Sequence, residues 1–289
     1  MRFLSLFVLG STAFAAPTDS PIQERATQQC GQYQTQYNGA YSLATNGWGW
    51  STGTGSQCSE INSVSGNTIA WDTTWSWSGG PTSVKSYTNI QQQSYPKKQL
   101  GQYSSMPTTW KWSYAGTNLA ANGEYHPASH SLGRLTNVLA VAYDTFVGTS
   151  PNGANAFEVM VRTSLPVSTR RPLTSLSSQV WLGLYGSISP LSSNGYPFTP
   201  IASPVINGVQ FDLAYGLNGN VKVYSFVARS RAATSFSGDI LNFYKYLQQN
   251  YASNGFTSNL YLQAFQAGTE VFTGSNAKFD TTAYSVSIS

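Results

Sequence analysis

The sequence predicts an all-β fold, a β-sandwich or jelly roll carrying a single helix. Three observations point there. Charged residues make up only 9% of the chain while aromatics reach 14%, which suits short strands and an aromatic binding face better than helices. Apolar residues recur with period two between clusters of Gly, Ser and Asn. One stretch alone, 237–250, carries the helical period. With 40% apolar residues the chain can bury a sizeable core.

The N-terminus reads as a secretory signal over residues 1–15. Arg2 supplies the positive start, "FLSLFVLGSTAF" the apolar run, and Ala13–Ala15 a small-residue cleavage site. The run is too short to span a membrane. Residues 16–28 read as a short propeptide or tether. A secreted, extracellular product follows, and its only cysteines, Cys30 and Cys58, are expected to form a disulfide. "NTIAWDTTWSWSGG" is the first clear strand, with Trp71, Trp75 and Trp77 on one face. "VKSYTNI", "LAVAYDTFV", "AFEVMV", "VQFDLAYG", "VKVYSFVAR", "LYLQAFQAG" and "AYSVSIS" follow. In the helical stretch Ser237 can act as N-cap and Asp239 falls in the first turn. Ile240, Phe243, Tyr244 and Leu247 form its apolar stripe. No internal repeat and no linker-separated second domain is visible.

The chemistry is narrowed by exclusion. The two histidines, His126 and His130, lie four apart with Pro127 between them, which argues against a helix face that could hold a metal. No metal and no cofactor is expected. With Glu24 and Glu124 set aside, Glu60, Glu158 and Glu270 remain. Glu60 follows the second cysteine in a turn. Glu158 stands inside the apolar run "FEVMV", where a carboxylate is costly to bury without a role; its bland alternative is a side chain turned out to water. Paired carboxylates in an aromatic-rich β-protein suggest acid/base and nucleophilic chemistry on sugars, with rings as stacking platforms.

The stretches "CGQY", "TNGWG", "GTGSQC", "MPTTWKWSYAGTNL", "VAYDTF", "FEVMV", "VYSFVA", "FSGDILNF" and "GTEVFTG" together resemble glycoside hydrolase family 12, the small secreted endo-β-1,4-glucanases. The likeness covers nearly everything from Cys30 onward and implies one catalytic domain over 29–289. It implies two curved antiparallel sheets with a substrate cleft on the concave face, and retaining hydrolysis. Glu158 matches the family nucleophile, Glu270 the acid/base, and Asp144 an acidic partner of the nucleophile. Met160, on the same face as Glu158, is expected against the sugar. Asn46, Trp48 and Tyr33 match glycone-side contacts, and Trp181 and Phe272 complete the expected sugar-binding set. The expected partner is a β-1,4-glucan, with no nucleic acid, no membrane and a monomeric enzyme. Cellulose or mixed-linkage glucan is the first expectation and xyloglucan the runner-up; an inactive carbohydrate-binding sandwich is the alternative from another class. Two departures stand out: Val271 replaces the usual Pro, and Gly47 the usual Leu.

Two longer departures interrupt the likeness, at 123–140 and at 161–179. They fall inside strand patterns, where an insertion destroys register. They hold both histidines and Arg134, Arg162, Arg170 and Arg171, so the net charge of +4 says little about partners. Their end codons can be written with GT…AG boundaries, and removal restores "AANVAYD" and "FEVMVWLGLYG". Both are therefore expected to be introns left in the coding sequence; the alternative is a pair of surface excursions.

Overall fold

The computed structural model describes residues 27–81, 83–117, 139–164, 190–195, 198–231 and 234–289. Among them the chain forms fourteen strands and one α-helix. The strands are β1 (Thr35–Asn38), β2 (Tyr41–Ala44), β3 (Thr54–Ser65), β4 (Thr68–Ser78), β5 (Ser86–Gln92), β6 (Pro107–Thr117) and β7 (Leu139–Gly148). They continue with β8 (Phe157–Ser164), β9 (Val205–Ile206), β10 (Val209–Asn218), β11 (Val221–Arg231), β12 (Ser235–Asp239), β13 (Tyr261–Val271) and β14 (Gly274–Val286), while α1 spans Leu241–Asn250.

They build two sheets. One has nine strands in the order β1-β2-β5-β13-β7-β8-β11-β10-β9, the other five in the order β12-β6-β14-β4-β3. The facing sides bury the odd-numbered residues of the Trp-rich strand: Trp71, Trp75 and Trp77 of β4 all point inward. They are packing residues. Trp110 of β6 lies at the centre of the core, with ring centroids of Trp71, Trp112, Tyr143, Phe279 and Tyr284 between 5.1 and 6.2 Å away. Its indole N–H donates to Thr281 Oγ1 at 3.0 Å, which satisfies the one polar atom that burial of this ring strands.

Two expectations need correction. The sheets are not wholly antiparallel: β8 pairs with β11 in parallel. A parallel neighbour cannot be reached by a tight turn, and here the chain leaves β8 and returns through β9 and β10 before β11 docks. The helix also starts later than its pattern suggests. Residues Ser235–Asp239 pair with β6 as an edge strand, so Ser237 is not a cap. Asp239 serves instead, its Oδ1 accepting from Leu241 N–H at 2.9 Å and from Met106 N–H at 2.8 Å. The stripe itself is as read: Phe243, Tyr244 and Leu247 are buried, and Phe243 packs against Phe211 and Phe226 on the back of the nine-stranded sheet.

Cys30 and Cys58 are joined, tying the segment before β1 to β3, and Gln29 and Ser59 exchange backbone hydrogen bonds beside them. Most of the two interrupting stretches, with His126 and His130, lies outside the described residues; Leu139 and Ala140 begin β7, and Val161–Ser164 extend β8. No described helix is long and apolar enough to cross a membrane.

Candidate active site

The site is set by three adjacent strands, β13, β7 and β8. Their register places Asp144 opposite Met160, and Phe146 opposite Glu158. On the other side of β7, Gln266 stands opposite Asp144 and Glu270 opposite Ala140. Directly opposed residues share a face, and the face alternates along each strand. Tyr143, Thr145 and Val147 of β7 are buried toward the core, so Asp144, Glu158, Met160, Gln266 and Glu270 all line the opposite, concave side. Along the floor the carboxylates run in the order Glu158, Asp144, Glu270. Asp144 is the diagonal neighbour of Glu158, within reach of a long side chain. Both are buried, as is Met160, whereas Glu270 is half-buried.

The far side of β13 leads to the residues expected on the glycone side. Glu270 stands opposite Tyr87 of β5, and Tyr87 N–H donates to the Asn46 carbonyl at 3.1 Å. Asn46 adopts a left-handed conformation, φ +44°, which Asn tolerates better than most residues. That turn lifts Trp48 away from the sheet, leaving it 48% exposed. Tyr33 is 68% exposed. It is held beside the same loop because Gly47 N–H donates to Gln32 O, and Gln32 Nε2 to Gly47 O, both at 2.8 Å. Gly47 is explained by its neighbour: a Cβ built there would run into the Trp50 indole nitrogen and come within 2.9 Å of Gln32 O. Trp50 in turn packs on Trp77 at 5.4 Å, so a Leu at 47 would displace that ring.

Of the expected sugar contacts, Tyr33, Asn46 and Trp48 gather at the Glu270 end, and Met160 lies beside Asp144. Phe272 is only 1% exposed and offers no open ring face. Trp181 lies outside the described residues. Sequence reasoning passed over an amide pair on the same floor: Gln266 Nε2 donates to Gln91 Oε1 at 2.9 Å. Gln266 sits four residues before Glu270, so the period-two pattern could have found it. Among the described residues no group of three or more His, Cys, Asp or Glu could hold a metal ion.

A family model described as Glycosyl hydrolase family 12 matches residues 39–164 and 173–289. The chain belongs to glycosyl hydrolase family 12. It is a glycoside hydrolase of the endo-β-1,4-glucanase kind. A probable xyloglucan-specific endo-β-1,4-glucanase A of Aspergillus fumigatus is 43% identical over 279 residues, covering 96% of this chain and 98% of its own. The xyloglucan-specific endo-β-1,4-glucanase A of Aspergillus aculeatus is 42% identical over 285 residues, 99% of each. Among solved structures, endoglucanase 3 of Trichoderma harzianum superposes with a TM-score of 0.72 at 33% identity, over 92% of this chain and 99% of its own.

Proposed function

We propose that this family 12 enzyme is a secreted, retaining endo-β-1,4-glucanase that prefers xyloglucan. The observation that carries the chemistry is the shared concave floor of Glu158, Asp144 and Glu270. Glu158, buried near the start of β8, attacks the anomeric carbon. Glu270, half-open at the glycone end, protonates the leaving oxygen and then activates water. Asp144, diagonal to Glu158, holds a proton between the two buried carboxyls and aims the nucleophile. Retention requires the reacting carboxyls to stand about 5–5.5 Å apart when sugar is bound. Glu158 and Glu270 occupy staggered rows, so that separation is the quantity to measure, in a crystal of Glu270→Gln with a bound oligosaccharide. A gap above about 6.5 Å would assign inversion instead.

Substrate choice rests on the relatives. Both Aspergillus proteins are named as xyloglucan-specific, which moves the runner-up of the sequence reading ahead of cellulose and mixed-linkage glucan. Secretion is supported by the signal-like start and by the disulfide. Reducing-sugar release from tamarind xyloglucan, barley β-glucan and carboxymethylcellulose tests the whole reading. Release from xyloglucan should dominate; release from none would leave only a carbohydrate-binding sandwich. The assay is run with and without the two interrupting stretches, which we infer to be retained introns. The family match passes over 165–172 inside the second of them. Genomic sequence lacking GT…AG boundaries at those codons would sink that inference.

A further inference from the structure

Lys85 is 0% exposed. A buried ammonium is costly to keep unless its donors are met. Here they are met by backbone: Nζ donates to the carbonyls of Gly80 and Ser83, each at 2.8 Å. Burial lowers its proton affinity below that of an ordinary lysine. None of the catalytic steps uses this cation.

Its backbone connects two parts of the site. Lys85 N–H donates at 2.7 Å to the carbonyl of Val271, the residue after Glu270. Its own carbonyl accepts at 3.0 Å from Gly49 N–H, the residue after Trp48. The side chain then runs between the loop ends. A Cβ at Gly53 would lie 2.5 Å from Lys85 Cε, and one at Gly80, where φ is +51°, would strike Thr52 O. The loop from Asn46 to Gly53 and the carbonyls of Gly80 and Ser83 are thus closed around one lysine stem.

We propose that Lys85 is a positioning residue for the glycone end of the cleft. Its backbone N–H and carbonyl tie the residue after Trp48 to the strand that carries Glu270, and its ammonium anchors that crossing on the carbonyls of Gly80 and Ser83. The proposal rests on the reading of Trp48 as a sugar contact, and the test separates the two.

The full-length enzyme is compared as wild type, Lys85→Met, Trp48→Ala and the double variant, on one xyloglucan oligosaccharide. Lys85→Met keeps the stem and removes the charge but leaves the Gly80 and Ser83 carbonyls without that donor, so Tm should fall by a few degrees while the enzyme stays folded. KM should rise about tenfold with kcat nearly unchanged, the signature of lost uniform binding. In the double-mutant cycle, the lysine change should cost nothing further once Trp48 is gone. Additive losses, or an unchanged KM in Lys85→Met, would overturn the proposal. A wild-type KM in Trp48→Ala would instead remove the sugar-contact reading on which it rests. Lys85→Gln serves if the Met variant does not fold; if neither folds, the lysine belongs to the fold and the positioning role is refuted.

Discussion

Two tryptophans make opposite predictions about what a truncation destroys. Trp110 has five aromatic neighbours within 6.2 Å and a satisfied indole N–H. Trp110→Ala removes the ring and leaves a cavity the rigid sandwich cannot close, at a cost of about 3–5 kcal/mol. For a domain of this size that lowers Tm by roughly 6–20 °C. Trp48 is half exposed on a loop, so Trp48→Ala should change stability by less than about 0.5 kcal/mol while weakening substrate binding. Calorimetry and steady-state kinetics on the two variants, at a temperature where both are folded, check the contrast. A Tm drop below about 3 °C for Trp110→Ala would refute the packing argument, as would a large drop for Trp48→Ala.

Glu158→Gln and Glu270→Gln should each nearly abolish turnover while leaving the thermal transition in place; wild-type-like rates in either variant would remove that residue from the mechanism. Alkaline stability follows from the buried tyrosines. Burial and neighbouring tyrosines push Tyr251 up to about 12, and burial raises Tyr143, Tyr244 and Tyr284 as well. Unfolded tyrosine ionises near 10. Above that pH the unfolded chain gives up protons the folded chain keeps, and stability falls as pH rises. Phenolate absorbance should therefore climb late and together with loss of the folded circular dichroism signal; complete ionisation of an intact fold would contradict this. Lys278, raised chiefly by its hydrogen bond to Asp72 at 2.8 Å, should contribute under about 1 kcal/mol because it is partly exposed. That contribution is present below the ordinary lysine range and lost as pH rises through the raised folded value, so urea midpoints of wild type and Lys278→Met should converge at alkaline pH. Reducing Cys30–Cys58, which are 28 residues apart, should cost roughly 3–4 kcal/mol; an unchanged midpoint in reductant would show the tether to be redundant.

The period-two segments gave most of the long strands, because a strand buried on one face writes that burial into every second residue. Eight stretches read from the pattern became β4, β5, β7, β8, β10, β11, β13 and β14. The short strands β1, β2, β9 and β12 escaped, since two to five residues cannot display a period; two long ones escaped as well, β3, where buried Gln57 and Ser59 give no apolar alternation, and β6, whose alternating Thr108, Trp110 and Trp112 could have been read. Residue identity marked Glu158 and Glu270 as unusual, but their shared face came from register, which no local pattern encodes. Lys85 was hidden for a related reason. Its partners are backbone carbonyls, and carbonyls leave no mark on side-chain composition. The parallel pairing of β8 with β11 was equally unreadable, being a property of the path between strands.

The order of the strands along the chain bears on how the enzyme is made. β14 follows every other described strand, yet it lies in the middle of the five-stranded sheet, between β6 and β4. β13, which carries Glu270, comes just before it and lies between β5 and β7. Until both have been synthesised, β4 and β6 have no common partner, and the two halves of the cleft floor are unjoined. A nascent chain emerging in order therefore cannot close its core early. The finished cleft and the finished sandwich arrive in the same step.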